Sequence, residues 1–333
     1  MLLMAVTGVT LYYKSAILKW QYPALNLPAP VSMSNAARQL DTLPAALAAG
    51  YAYMPSQDNP WLEVVDKAGA HWYFGEQGHL LTRQQHGDVL SFFVSLHHDL
   101  MLGATGKDIL GICGLLSLLL LITGIIRWWP RHRISLRLFT IHWFSLKSRK
   151  GLQTLAELHK VSAIIFAIPI IIIMLTGTAV IYSKKVNQAL VATLPASDEQ
   201  PEIPHPTPVA QTWQARLALA EQLFDDATPR LIYLSRARLR MKHADEWHPN
   251  GRNYVGFNPQ NGLLTEYEDV RLTATGNQVS HAIYPLHASA VGGMIYLLIS
   301  TITGLILILL PLTGIFYWVK RRHYASPNKR TWL

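Results

Sequence analysis

Two histidines at matching positions of an internal repeat are the residues of this sequence best suited to chemistry. Residues 96–130 align without a gap on residues 286–320 when the first stretch is moved by 190 positions, the difference between His97 and His287. The same shift superposes further pairs: Gly103 on Gly293, Gly114 on Gly304, Thr123-Gly124 on Thr313-Gly314, and Trp128 on Trp318. Neutral imidazole is a common ligand of metals, including haem iron. The repeat therefore predicts a duplicated unit with a histidine at the same depth in each half.

These residues also have a purely structural interpretation. A histidine at a membrane interface can simply form hydrogen bonds or face lipid headgroups, and glycines in apolar helices often serve close helix packing. His98 is adjacent to His97 and could be the ligand instead, but the repeat selects His97, since Ala288 occupies the position that matches His98. A third candidate is His159, at the start of another apolar stretch.

Four apolar blocks must position these side chains. They lie near residues 1–13, 108–129, 161–182 and 291–319 of a 333-residue chain that is 50% hydrophobic and only 15% charged, against about 25% charged in soluble domains. The last three blocks are long enough to cross a hydrocarbon core of about 30 Å, whereas thirteen helical residues reach only about 20 Å. We expect the first block to be the second half of a membrane helix whose beginning lies upstream, because Thr7-Gly8 matches Thr176-Gly177.

The distribution of charge predicts the topology. The net charge is +9, but no acidic residue occurs between Trp128 and Ala156, and the bases collect there and in the C-terminal tail. Basic segments that flank membrane helices lie in the cytoplasm, so this charge does not indicate nucleic-acid binding. The predicted order is membrane helix 1 (1–19), outer domain (20–103), helix 2 (104–129), basic cytoplasmic loop (130–157), helix 3 (158–183), outer domain (184–286), helix 4 (287–320) and cytoplasmic tail (321–333). Both termini are then cytoplasmic.

Each outer segment is predicted to form a small α+β unit. The stretch 33–47 predicts a helix with Ser34 as its N-cap, and alternating patterns predict strands at 61–67, 71–75, 229–242, 252–258 and 262–268. The turn in 73-YFGEQGHLL-81 resembles that in 255-VGFNPQNGLL-264. Neither segment has a catalytic signature such as GxSxG or HExxH, and the single cysteine, Cys113, lies in a membrane block and excludes a disulfide.

Several polar residues are weaker candidates. Alternation on one strand predicts a shared solvated face for Arg236, Arg238 and Arg240, which could alternatively attract an anionic substrate. The external histidines have no metal-site spacing and are interpreted as surface residues: His71, His79 and His86. Two histidines on the cytoplasmic side are substitute ligand candidates: His142 and His323.

A family resemblance covers nearly the whole chain. The stretch 158-LHKVSAIIFAIPIIIIMLTG-177, the Leu-His, Gly, Thr-Gly and Trp pattern of helices 2 and 4, and the paired strand–turn units resemble the PepSY-associated transmembrane family. That family includes ferric-siderophore reductases of the bacterial inner membrane. The resemblance implies an α-helical membrane protein with a four-helix bundle, built from two helix–domain–helix repeats, and two PepSY-like periplasmic domains. This sequence departs from the family pattern at helix 1, where the family has another Leu-His.

The resemblance also implies haem b in the bundle. His97 and His287 would hold a periplasmic-side haem, and His159 a cytoplasmic-side haem whose partner histidine we expect upstream of Met1. Gly114 and Gly304 would give room for the flat rings. The implied function is electron transfer from an unidentified cytoplasmic donor to a periplasmic acceptor, a ferric siderophore or another periplasmic acceptor, so that iron is released. The alternative is a membrane-anchored, non-enzymatic protein whose PepSY-like domains bind partners. A transporter is disfavoured because the membrane blocks contain almost no ionisable residue.

Overall fold

The protein is described by a computed structural model that covers residues 1–84, 87–129, 136–196 and 201–325. The chain divides into two compact units that alternate along the sequence. The helical unit comprises Met1–Tyr12, Phe93–Tyr182 and Leu286–Leu333, and the sheet unit comprises Tyr13–Phe92 and Ser183–Pro285. The α-helices of the described residues are, in chain order, α1 (Leu2–Tyr12), α2 (Lys14–Gln21), α3 (Met33–Asp41), α4 (Ala45–Ala48), α5 (Val89–Asp99), α6 (Gly103–Trp128), α7 (Gly151–Ile165), α8 (Ala167–Ile181), α9 (Ser183–Thr193), α10 (Trp213–Leu223), α11 (Thr275–His287) and α12 (Gly293–Ala325).

Two helices of the described residues are by themselves long and apolar enough to cross a membrane, α6 and α12. The 26 residues of α6 reach about 39 Å at 1.5 Å per residue, which exceeds a hydrocarbon core of about 30 Å. Large apolar side chains remain exposed on both helices, among them Leu120 at 68% and Ile295 at 74%. A continuous exposed apolar surface of this kind is typical of helices that face lipid.

The third apolar block forms a broken helix pair rather than one straight helix. Helices α7 and α8 qualify together as a span, but they are bent by 72° at a break that lies at Phe166. Pro169 explains the break, because proline has no backbone N–H and its ring collides with the carbonyl group four residues earlier, here that of Ile165. The first block also differs from a single helix over 1–19, since α1 ends at Tyr12 and α2 begins at Lys14.

The sheet unit is built on one antiparallel sheet of eight strands. The strands are β1 (Tyr51–Tyr53), β2 (Leu62–Val65), β3 (His71–Phe74), β4 (Leu80–Gln84), β5 (Ala227–Tyr233), β6 (Arg238–His243), β7 (Asn253–Phe257) and β8 (Leu264–Glu268). Their order across the sheet is β4-β3-β2-β1-β5-β6-β7-β8. Each half of the sheet is thus a meander, and the two meanders meet where Ala52 of β1 pairs with Ile232 of β5.

This continuous sheet corrects the prediction of two separate α+β domains. The strand positions follow from local alternation, but the partner of an edge strand does not. An edge strand has unpaired N–H and C=O groups, and pairing β1 with β5 satisfies two such edges at once. The predicted likeness of the two turn segments is confirmed at the level of the backbone. Both hairpins contain a register shift at the matching point, between Tyr73 and Phe74 and between Gly256 and Phe257.

Helices α3 and α10 cover one face of the sheet and close its core. Buried side chains of both helices, such as Leu40 and Leu217, pack with strand residues such as Leu239 and Val255. The N-cap of α3 is Ser32, whose hydroxyl group accepts a hydrogen bond from the backbone N–H of Asn35, so the prediction of Ser34 as the cap was wrong by two residues. A side-chain cap stabilises a helix by about 1 kcal/mol, and it requires the extended backbone that Ser32 has.

The predicted solvated arginine face is also corrected. The predicted strand 229–242 is interrupted at Leu234–Arg236, and Ala237 has a left-handed backbone with φ 46°. Arg236 therefore leaves the strand, while Arg238 forms an ion pair with Glu266. Arg240 is only 5% exposed and is hydrogen-bonded to the carbonyl oxygen of Gly251.

We expect Ile232→Ala to destabilise the sheet unit strongly. Ile232 is fully buried and its backbone pairs with both halves of the sheet, at Ala52 and at Leu239. Truncation of a buried isoleucine to alanine lowers the free energy of unfolding by about 2–5 kcal/mol. The measurement is denaturant unfolding of the full chain in detergent, followed by circular dichroism. Leu80→Ala is the matched control, because Leu80 is 48% exposed on the edge strand β4; equal stability losses would contradict a continuous core.

Candidate functional site

His97 and His287 lie side by side in the helical unit. His97 is on the last turn of α5 and His287 is the last residue of α11. Their ring centroids are 6.2 Å apart and their ring planes differ by 23°. The sequence placed both residues directly before long apolar helices, but it did not predict the short helices α5 and α11 that carry them. The structure therefore brings together the two histidines that the repeat relates.

The same turn follows each histidine and explains two of the repeated glycines. Gly103 and Gly293 begin α6 and α12 with φ 58°, and no atom of the described residues lies within 4 Å of a Cβ added at either position. Such a left-handed backbone favours glycine. These two glycines allow a sharp entry into the long helix.

Each of the paired histidines lies against the Thr-Gly pair of an apolar helix. A Cβ added at Gly8 of α1 would lie 3.1 Å from Cε1 of His97, and one at Gly177 of α8 would lie 2.6 Å from Cε1 of His287. Real Cβ atoms rarely come this close, so a side chain larger than glycine would displace the imidazole. The Thr-Gly repeat was visible in the sequence, but its role as a contact surface for histidine was not recognised.

Hydrogen bonds fix the tautomer of these imidazoles. Nδ1 of His287 lies 3.2 Å from the carbonyl oxygen of Ile173, which can only accept, so Nδ1 carries the proton. Nδ1 of His97 lies 2.8 Å from Oγ1 of Thr7, and that hydroxyl donates to the carbonyl oxygen of Leu3 and so accepts from the histidine. Nε2 of each neutral ring then keeps its lone pair, as in a metal-binding histidine whose other ring nitrogen donates to a neighbouring oxygen.

His159 repeats this arrangement at a third Thr-Gly pair. Its Nδ1 lies 3.0 Å from the carbonyl oxygen of Leu310 and 3.1 Å from Oγ1 of Thr313. A Cβ added at Gly314 would lie 3.9 Å from Cε1 of His159. Nδ1 is again the donor, and Nε2 again keeps its lone pair. The fourth pair, Thr123-Gly124, has no described atom within 4 Å of a Cβ added at the glycine.

Gly114 and Gly304 lie at helix–helix contacts instead. A Cβ added at Gly114 would lie 2.5 Å from Oγ1 of Thr178 on α8, and one at Gly304 would collide with Cγ2 of Val9 on α1. Val9 directly follows Thr7-Gly8, and Thr178 directly follows Thr176-Gly177, so the two contact residues occupy matching positions of the repeat. Small residues that let two backbones approach are a common feature of membrane helix packing. In this structure both glycines therefore serve close packing of repeat-related helices.

The remaining candidate histidines have other surroundings. His98 is exposed, with its ring centroid 6.1 Å from that of His97. His142 is paired with Glu157, His71 with Glu63, and Nδ1 of His79 is bonded to the carbonyl oxygen of Glu76. His86 lies outside the described residues. Among the residues that the structure describes, no group of three or more His, Cys, Asp or Glu residues is arranged to hold a metal ion.

Comparison with known proteins places the chain in a family. A comparison with curated proteins found no match. A family model described as the PepSY-associated TM region matches residues 1–321, which includes both repeats, all three Thr-Gly contacts and the sheet unit. Together with the apolar helices α6 and α12, this match shows a membrane protein. The chain belongs to the PepSY-associated transmembrane family.

Proposed function

We propose that this protein is a haem-containing reductase of the bacterial inner membrane. In this proposal His97 and His287 would together hold one haem b, which would carry electrons from a cytoplasmic donor to a periplasmic acceptor of the ferric-siderophore class. The observation that carries the proposal is the convergence of two repeat-related histidines, each with Nδ1 hydrogen-bonded and Nε2 free to coordinate.

The separation of the two rings supports shared coordination. The centroids of His97 and His287 are 6.2 Å apart. Both imidazoles would therefore be near enough to each other to hold one haem.

The proposed architecture is a bundle of four membrane segments. They are α1, α6, the bent pair α7–α8, and α12. The basic segments at 130–150 and after Tyr317 favour a cytoplasmic location for both, and the positive-inside rule then places the sheet unit and both paired histidines on the periplasmic side. In this arrangement the histidine pair lies close to an external acceptor.

His159 would hold a second haem near the cytoplasmic face, with the other residue that holds it left unassigned. The support is its hydrogen bonding to Leu310 and Thr313, which repeats the geometry of the other two histidines. Two haems at different depths would connect the two faces of the membrane. His98 is a neighbour of the outer site, and Gly114 and Gly304 set the helix spacing around it.

The chain's own residues hold and orient the cofactor. Bound haem supplies one-electron transfer, and the axial ligands and burial set its reduction potential. The carbonyl oxygen of Ile173 and the hydroxyl group of Thr7 orient the imidazoles and increase their basicity. Oxygen-rich chelators bind ferric iron far more tightly than ferrous iron, so one-electron reduction of the acceptor releases its iron. No nucleophile or acid–base pair is required of the protein.

An absorption spectrum tests this proposal first. We expect the full chain, expressed with ample haem and purified in detergent, to show a Soret band that shifts on reduction with dithionite, with sharp α and β bands typical of six-coordinate haem b. Oxidation of the reduced protein by ferric chelates, followed by stopped flow, then tests the acceptor. A colourless protein would contradict the haem proposal and favour the alternative, a membrane-anchored protein whose sheet unit binds partners.

A further inference from the structure

A cluster of basic side chains in the sheet unit has no assigned role. Arg240 is on β6, His248 is in the loop between β6 and β7, Arg252 directly precedes β7, and His281 is on α11. Arg240 and His248 are each only 5% exposed. Buried arginines are normally paired with a carboxylate. Within the described residues, neither Arg240 nor Arg252 has a carboxylate oxygen within 4.0 Å, although the salt bridges there include other arginines of the same unit, Arg238 and Arg271.

The hydrogen bonds present make His248 a donor. Its Nδ1 lies 3.3 Å from a terminal nitrogen of Arg240 and accepts a 3.1 Å bond from the backbone N–H of Asn250. Arginine and backbone N–H groups can only donate, so Nδ1 has no proton and the ring proton is on Nε2. Arg240 is held in place by its Nε, which donates to the carbonyl oxygen of Gly251 over 3.1 Å.

Two more nitrogen atoms of the cluster are buried without a hydrogen-bond partner. Nε of Arg252 and Nδ1 of His281 are both inaccessible to solvent and have no hydrogen-bond partner among the described residues. Buried polar atoms nearly always have a hydrogen-bond partner, so a buried nitrogen without one needs a specific explanation. These two nitrogen atoms come from different elements and lie near the Nε2–H group of His248 and the buried guanidinium of Arg240. An anion bound among them would supply hydrogen-bond acceptors to all four groups.

The electrostatics of the cluster agree with this explanation. Burial, followed by the charges of Arg252 and Arg240, lowers the pKa of His248 to about 2 and that of His281 to about 4. Both rings are therefore neutral at pH 7 and avoid adding charge to an already positive site. The acidic side chains nearby act on two bases outside the cluster: Asp58 acts on Arg230, and Glu246 and Asp245 act on Lys242.

We propose that Arg240, Arg252, His248 and His281 form a binding site for a small oxyanion, such as sulfate, phosphate or the carboxylate group of a small acid. The oxyanion would accept hydrogen bonds from Nε of Arg252, from the imidazole N–H groups and from the guanidinium of Arg240. Its negative charge compensates the buried Arg240 and the half-buried Arg252, neither of which has an acidic partner within 4.0 Å among the described residues. The site is independent of the haem proposal, because every residue in it belongs to the sheet unit.

Equilibrium dialysis with radiolabelled sulfate tests the site in the full-length protein in detergent. Sulfate is the probe because its charge is constant between pH 5 and 8. We expect saturable binding of one sulfate per chain, weakened at least tenfold by Arg252→Gln. Arg236→Gln is the matched control, since Arg236 is an exposed arginine of the same unit and its loss removes the same charge. Competition by phosphate and by citrate distinguishes a tetrahedral anion from a carboxylate as the preferred ligand.

A second variant distinguishes loss of sulfate binding from misfolding. His281→Gln removes one unpartnered imidazole from a half-buried helix position and should also weaken sulfate binding. The thermal midpoint of this variant without sulfate should equal that of the parent protein. Sulfate should in turn raise the thermal midpoint of the parent protein but not that of Arg252→Gln. Absence of saturable sulfate binding by the parent protein would overturn the proposal, as would equal affinities of the parent and a folded Arg252→Gln variant.

Discussion

Replacing His287 by alanine is expected to remove one haem from the purified protein while the chain still inserts into the membrane. In the proposed site His287 supplies one of two axial imidazoles, and its ring is 6.2 Å from that of His97. The measurement is haem per chain by the pyridine haemochrome method, together with the reduced-minus-oxidised spectrum. A remaining five-coordinate haem would broaden the α band, and a lost haem would lower the ratio of haem to protein.

The controls for His287→Ala use the neighbouring histidines. His97→Ala should give the same loss, and the double variant should lose no more than either single variant, because residues that act as a unit are not additive. His98→Ala should keep the parent spectrum, since His98 is exposed and its counterpart in the repeat is Ala288. A parent-like haem content in His287→Ala would rule out the pairing of His97 with His287.

Gly177→Ala should have nearly as large an effect, although it removes no ligand. The added Cβ would lie 2.6 Å from Cε1 and 3.1 Å from Nδ1 of His287, inside van der Waals contact. The imidazole must move, and its hydrogen bond to the carbonyl oxygen of Ile173 is broken or lengthened. We expect a shifted reduction potential and a lower haem content, measured by redox titration of the α band.

Gly124→Ala is a matched control for this prediction. It adds the same methyl group to another Thr-Gly pair in an apolar helix, and no described atom lies within 4 Å of the new Cβ. Alanine is also the better helix former by about 1 kcal/mol, so neither variant should destabilise its helix through propensity. If the two alanine variants had identical spectra and potentials, contact between Gly177 and His287 would have no influence on the site.

Local patterns account for what the sequence predicted correctly. The apolar blocks at 108–129 and 291–319 became α6 and α12, because a helix satisfies its own backbone groups and needs no distant partner. The hairpins β2–β3 and β7–β8 follow from alternation and turn residues that are close in sequence. The pairing of His97 with His287 was predicted from the repeat together with the family resemblance, since equivalent residues of a duplicated unit often meet near its pseudo-symmetry axis.

Other features depended on residues that are distant in sequence. The pairing of β1 with β5 joins residues about 180 positions apart, and alternation tells which face of a strand is buried but not which strand lies beside it. The burial of Arg240 depends on the carbonyl oxygen of Gly251 and on His248, because charged residues are buried only where such partners exist. Pattern reasoning therefore placed this arginine on a solvated face.

The sequence by itself determined the family, the apolar helices, the strands and the three histidines with the same local context. Only the tertiary structure decided that Thr7-Gly8, Thr176-Gly177 and Thr313-Gly314 contact those histidines, and that Gly103 and Gly293 serve a turn while Gly114 and Gly304 serve helix packing. The physical reason is that hydrophobic periodicity is a property of neighbouring residues. The tautomer of an imidazole and the room beside a glycine depend instead on which atoms of distant segments come within 3–4 Å.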